Sequence, residues 1–174
     1  MKYKIYFYLL SAILLFITSS CGIYSFTGSS LHPDIKTIEI KNLYNNSGGG
    51  PPYLEQSLTQ SLKDYFQQNS KLTIVNANGD LQMEGGITVY STTPIAPTAT
   101  ANGSPPTASS IRLNLTVKIK VVNTKDEEGN FEKDFTTFQD FDATKSLQDV
   151  ERDLIQTMNK KLSQDIFIET VANW

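Results

Sequence analysis

The sequence predicts an α+β fold: a two-layer sandwich with two helices packed on one face of a mainly antiparallel sheet of four to five strands. Three observations predict it. Residues 111–121 place Ile111, Leu113, Leu115, Val117, Ile119 and Val121 at every second position, which is the period of a strand. Residues 53–69 and 146–168 repeat apolar residues every three or four positions, which is the period of amphipathic helices. The remaining strand patterns lie before and between those helices, giving the order strand, helix, three or four strands, helix.

The 174-residue chain opens on a segment outside that domain. Lys2 and Lys4 precede an apolar run, 5–17, interrupted only by Ser11, and the run ends in Thr18-Ser19-Ser20-Cys21. A basic start, an apolar centre and small residues at the end make a secretion signal. The run is shorter than the roughly 20 residues of a spanning helix. Residues 1–20 are read as a lipoprotein signal peptide cut between Ser20 and Cys21, with Thr18 standing where Leu is commoner. Cys21 is the only cysteine, so no disulfide can form within the chain. Acylation of its thiol as a diacylglyceryl thioether, with or without an N-acyl group, explains it best. One acyl chain holds a protein to a membrane only reversibly, and two or more hold it firmly. Gly22 rather than Asp follows the cysteine, which points to the outer membrane, with the domain facing the periplasm. Residues 21–34 form a lipidated tether and 35–174 the domain.

Within the domain, Ile35–Ile40 reads as a first strand, with Ile38 and Ile40 on one face. Pro51 and Pro52 precede a helix over 53–69, since proline is tolerated at first helical positions. Leu54, Leu58, Leu62, Tyr65 and Phe66 form its apolar stripe. Leu72–Val75 is a short strand, and Asn76-Ala77-Asn78-Gly79-Asp80 supplies turn residues. Leu81, Met83, Ile87 and Val89 alternate with polar residues in a half-buried strand, where Gly85-Gly86 marks a bulge or a close backbone approach. Residues 91–110, without charge and holding four of the seven prolines, read as a flexible Pro/Ser/Thr loop. After the 111–121 strand, Asp126–Asn130 turns the chain and Phe131–Phe141 returns as a hairpin partner. Ser146 and Asp149 have capping-box spacing ahead of the last helix. Its predicted buried face is Leu147, Val150, Leu154, Met158 and Leu162, widened by Ile155.

Few residues point to catalysis. His32 is the only histidine and reads as a surface residue beside the tether. Gly48-Gly49-Gly50 lacks the Lys-Ser/Thr of a phosphate cradle, and no nucleophile elbow, zinc-protease helix or dinucleotide fingerprint occurs. Asp126-Glu127-Glu128 is most simply a solvated turn. The expectation is therefore a protein that is not an enzyme and uses neither cofactor nor metal. Net charge is −3 for the chain and becomes −5 once Lys2 and Lys4 leave with the signal, which argues against nucleic acid as a partner. Arg112, Lys118 and Lys120 share the polar face of the best strand. They are candidates to bind anionic groups such as lipid phosphates; a solvated face that blunts aggregation is the alternative.

The start Cys21-Gly22-Ile23-Tyr24-Ser25-Phe26-Thr27-Gly28 resembles the opening of the LPS-assembly lipoproteins, the LptE family, in a divergent form. KTIEIKNLYNN at 36–46, LTQSLKDYF at 58–66, GDLQMEGGITVYSTTP at 79–94, the hairpin at 117–141 and IFIETVANW at 166–174 resemble it too. The resemblance implies two helices on a four-stranded sheet and no enzymatic activity. It also implies residence in the inner leaflet of the outer membrane, with lipopolysaccharide and an LptD-like translocon β-barrel as partners. The protein would plug that barrel, assist its folding and help deliver lipopolysaccharide to the surface. Another envelope binding module, such as a secretin pilot or an assembly chaperone, stays open, as does a periplasmic hydrolase.

Overall fold

The computed structural model describes residues 34–95, 110–126 and 129–171. The signal, Ser20, Cys21, His32, most of the Pro/Ser/Thr stretch, Glu127-Glu128 and the last three residues lie outside the described residues.

The β-branched segment Thr37–Ile40 forms β1, with Ile38 and Ile40 buried as the alternation requires. Tyr44–Asn45 is a two-residue β2. Helix α1, Leu54–Asn69, starts one residue after the proline pair, with Tyr53 as its N-cap, and buries Leu54, Leu58, Leu62 and Phe66 completely. Tyr65, at the margin of that stripe, is only half-buried. At the helix end the Ser70 backbone N–H and hydroxyl both donate to the Phe66 carbonyl, satisfying an orphan acceptor. β3 is Thr73–Val75, followed by β4 (Leu81–Pro94), β5 (Ser110–Asn123), β6 (Phe131–Asp142) and helix α2 (Leu147–Val171). The Ser146 hydroxyl donates to the Asp149 carboxylate and accepts from the Asp149 N–H, so the capping pair forms as the spacing predicts.

The six strands make one sheet in the order β3-β1-β4-β5-β6, with β2 pairing β4 beyond the end of β1. This sheet is mixed, which corrects the expectation of a mainly antiparallel one. β1 runs parallel to both β3 and β4, and β2 runs parallel to β4. Only β4–β5 and β5–β6 are antiparallel. The cause is the path of residues 76–80. They do not close a hairpin between β3 and β4 but carry the chain from one side of β1 to the other. The passage is close: a Cβ on Gly79 would sit 2.5 Å from the Glu39 backbone nitrogen. Asn78 turns the chain there with φ 57°, the left-handed conformation Asn tolerates.

Two more differences concern β4. Its arm of the hairpin runs to Pro94, β5 begins at Ser110, and Ile95 N donates to the Ser110 carbonyl. The ends of the Pro/Ser/Thr stretch are therefore strand rather than loop. The register also slips between Ile87 and Val89, since Ile87 faces Val117 while Val89 faces Thr116, leaving Thr88 as an extra bulged residue. A one-residue slip exchanges the faces. Val89, predicted inward, is 40% exposed, and Tyr90 turns inward to pack on the core. Gly85-Gly86 is the predicted close approach: a Cβ on Gly85 would lie 2.2 Å from the Lys118 carbonyl oxygen.

Both helices pack on one sheet face. Met83, Ile87, Leu113, Leu115, Val117, Ile119 and Val121 meet the helical residues Leu58, Leu62, Phe66, Ile155, Met158, Leu162 and Ile166 in a single core. Phe167 closes the far end of the helix pair, edge-on to Tyr65 at 5.3 Å and to Phe66 at 5.1 Å. In α2 the deepest face is displaced from the predicted one. Leu147, Val150 and Leu154 are half-buried, while Asn159, Ser163 and Thr170 are buried.

Candidate functional site: the open face of the sheet

The alternation that buries one face of β4, β5 and β6 exposes the other, and among the described residues no helix covers it. Arg112, Lys118 and Lys120 all lie on this open face, as their odd phase relative to Leu113–Val121 predicts. The structure does not gather them into one cationic patch. Lys118 and Lys120 are neighbours, while Arg112 stands six residues away along β5, about 20 Å at the usual strand rise.

Each of the three has a carboxylate partner from an adjacent strand, placed by register. Lys120 is opposite Glu84 of β4, and its ammonium lies 3.3 Å from that carboxylate. Lys41 reaches the other oxygen of Glu84 at 2.9 Å. Lys118 bonds Glu132 of β6 at 2.7 Å. Arg112 faces Asp140 and grips it with two parallel bonds of 2.7 and 2.9 Å. Its guanidinium also lies 3.8 Å from the centre of the Phe138 ring. The hydrogen bonds from Lys41 and Lys120 hold Glu84 below the usual carboxylate range. The bond from Arg112 does the same to Asp140, and Glu132 raises Lys118.

Between the two charged ends runs a neutral band in which Thr116 and Thr136 share a hydrogen bond of 3.0 Å. Tyr44 lies over Gly86, whose missing side chain leaves room for the ring: a Cβ there would be 2.3 Å from it. Beside it is a hollow of about 280 Å³ lined by Tyr44, Glu84, Gly85, Lys118, Lys120 and Glu132. Among the described residues, three of the four exposed large hydrophobic residues, Tyr44, Val89 and Phe138, belong to this face.

The face is therefore a polar surface on which all three cations are paired, with a few apolar points. An anion could reach Arg112, Lys118 or Lys120 only in competition with a fixed carboxylate. No group of three His, Cys, Asp or Glu side chains able to hold a metal occurs among the described residues. Sequence reasoning found the cations but missed Glu84, Glu132, Asp140, Tyr44 and Phe138. The alternation on β4 and β6 carried a signal for the carboxylates, but the pairing register was needed to use it.

Comparison with known proteins bears on this geometry. The model of one protein family, LptE, described as lipopolysaccharide-assembly, matches residues 35–170. None of the curated proteins matches the chain. Among solved structures, a minor lipoprotein from Acinetobacter baumannii is similar at 16% identity with a TM-score of 0.51, covering 80% of this chain and 94% of that one. The rare lipoprotein B from Shewanella oneidensis is 14% identical with a TM-score of 0.46, over 75% of this chain and 91% of that one. An uncharacterized lipoprotein B from Nitrosomonas europaea is 13% identical with a TM-score of 0.46, over 82% and 90%. At these identities the first of them speaks to the fold.

Proposed function

The chain belongs to the LptE family of lipopolysaccharide-assembly proteins, and from that premise we propose that it is an outer-membrane lipoprotein, anchored through Cys21, that plugs an LptD-like lipopolysaccharide-translocating β-barrel and assists its assembly. The observation that carries this reading is the open sheet face. The lumen of an outer-membrane barrel is polar. A compact domain suits it if the surface it offers is polar and close to neutral, because unpaired charges moved out of water are costly. The cross-strand pairs of Arg112, Lys118 and Lys120 meet that requirement. The same three side chains are the proposed contacts for lipopolysaccharide phosphates, each able to pass from its carboxylate to a ligand. The role is binding and positioning, with no catalytic step.

The test is copurification of the full-length protein, tagged at its C-terminus in its native host and extracted in mild detergent, beside a Cys21→Ala control. A large outer-membrane barrel recovered in near one-to-one amount, and reduced in the control, is the expected result. Recovery of inner-membrane or secretion components alone would overturn the barrel assignment.

A further inference from the structure

The sheet ends differently on its two sides. β3 at one edge is three residues long. β6 at the other is twelve residues long and, among the described residues, pairs only with β5, from Phe131 to Asp142, without a register shift. At the usual rise that is a straight edge of about 40 Å. Folded proteins blunt such edges with proline, bulges, shortness or charge. β6 contains neither proline nor glycine and no bulge, so of these devices charge is the one it carries.

That charge is one-sided. On the open face β6 presents Glu132, Asp134, Asp140 and Asp142 and no cation of its own; Lys118 and Arg112 of β5 pair with Glu132 and Asp140, so Asp134 and Asp142 are the acidic excess, and Lys133 lies on the inner face, bonded to Glu169 of α2. Directly opposed like charges destabilise a strand pair. Two copies joined antiparallel through β6 with their faces matched would oppose Glu132 to Asp140 if centred on Thr136. Centred on Thr137 they would oppose Glu132 to Asp142 and Asp134 to Asp140, and centred on Phe138, Asp134 to Asp142. In these three registers the edge is set against its own copy, and its acidic excess favours a strand with cations at alternate positions. Phe138, 49% exposed in the middle of this row, offers an apolar point for the same neighbour.

We propose that the β6 edge takes an extended segment of a partner protein as a further strand, one carrying Lys or Arg at its open-face positions. Main-chain bonds to the edge supply the binding, and the carboxylate row supplies the selectivity. A strand in the wall of a closed barrel has both edges paired, so the occupant is a loop or terminus. The proposal does not rest on the barrel reading; any partner with such a segment satisfies it.

The test uses the full mature chain and two labelled ten-residue peptides, one alternating Lys with Val and one alternating Glu with Val. Binding is followed by fluorescence anisotropy, and amide hydrogen exchange is mapped along the protein. The Lys–Val peptide is expected to bind at least tenfold more tightly than the Glu–Val peptide and to slow exchange in β6 at least tenfold while leaving β3 unchanged. Asp134→Asn, which removes the charge without setting a second cation opposite Lys118, should weaken Lys–Val binding at least threefold. Equal affinity for the two peptides, protection elsewhere without protection of β6, or β6 protection that rises with protein concentration alone would overturn the proposal, the last by naming a second copy as the occupant.

Discussion

Asp80 sits where the chain crosses β1, and it holds that crossing. Its carboxylate accepts from the Lys36 N–H at 3.0 Å, the Thr37 N–H at 3.0 Å and the Thr37 hydroxyl at 2.8 Å. The Thr37 hydroxyl in turn accepts from the Asp80 N–H at 2.9 Å. These bonds favour the ionised form, with the Lys36 N–H first among them, and bring the Asp80 pKa down to about 2. Because the folded pKa lies below the unfolded one, the stabilisation is complete above about pH 4 and is lost as pH falls toward 2. Asp80→Asn keeps the shape and removes the charge. Urea denaturation at pH 7 should show a loss on the order of 1–3 kcal/mol, the range for hydrogen bonds to a charged group. The wild-type advantage over the variant should shrink between pH 4 and pH 2, and an advantage that stayed constant across that window would refute the linkage. Gly85 is constrained differently. An added methyl would overlap the Lys118 carbonyl, a backbone atom that cannot swing away. Gly85→Ala should therefore force β4 and β5 apart and cost about 1–3 kcal/mol, the range for overpacking, as read from the shift in urea midpoint.

At the level of elements, the bulge in β4 decides which side chains serve the core. Because Thr88 is extra, Tyr90 points inward, and its hydroxyl donates to Glu151 of α2 at 2.5 Å. This bond ties the middle strand of the sheet to the start of the last helix. Burial, and then the neighbouring carboxylate, push the Tyr90 hydroxyl well above the usual tyrosine range, so it stays a donor throughout the accessible pH range. Tyr90→Phe keeps the ring and leaves the half-buried Glu151 without this donor. A loss of about 1–2 kcal/mol is expected, with faster amide exchange confined to the first turns of α2. Uniform acceleration over the whole chain would instead indicate a global effect. The bulge also shows what sequence could not supply. The stripe of Leu54, Leu58 and Leu62 and the alternation from Ile111 to Val121 are dictated by local period, so α1 and β5 were legible. Val89 and Tyr90 are adjacent and both apolar, so the pattern there suits either phase. The parallel pairing of β1 with β3 and β4 was hidden for a similar reason: residues 76–80 have the composition of a turn whether they close a hairpin or cross a strand. Both facts are set by partners distant in the chain.

The described residues have two unlike sides, a helical layer that closes the core and an open sheet face on which Arg112, Lys118 and Lys120 are each matched by a carboxylate. The cations of that sheet were legible because Arg112, Lys118 and Lys120 alternate with core residues. Their neutralisation was not, because Glu84, Glu132 and Asp140 enter only through register. That distinction changes the expected behaviour of the face. Exposed pairs of this kind contribute about 0–1 kcal/mol each to folding, so they add little to the stability of the domain and bear more on what the face can meet. Reversing one member separates the two roles. Glu132→Lys leaves Lys118 and Lys120 facing a third cation, and Lys118→Glu combined with Glu132→Lys restores the pair in the opposite sense. Both variants should fold, with urea midpoints close to wild type. In copurification from the native host, the single reversal should lose at least fivefold of the barrel, because an unmatched cation cluster must then enter the lumen. The double swap should recover most of it. Equal recovery by all three proteins would show that this face does not meet the barrel, and the contact would have to be sought on the helical layer. Loss in both variants would show that the partner reads the sign at each position and not merely the balance, which would make Lys118 a direct contact.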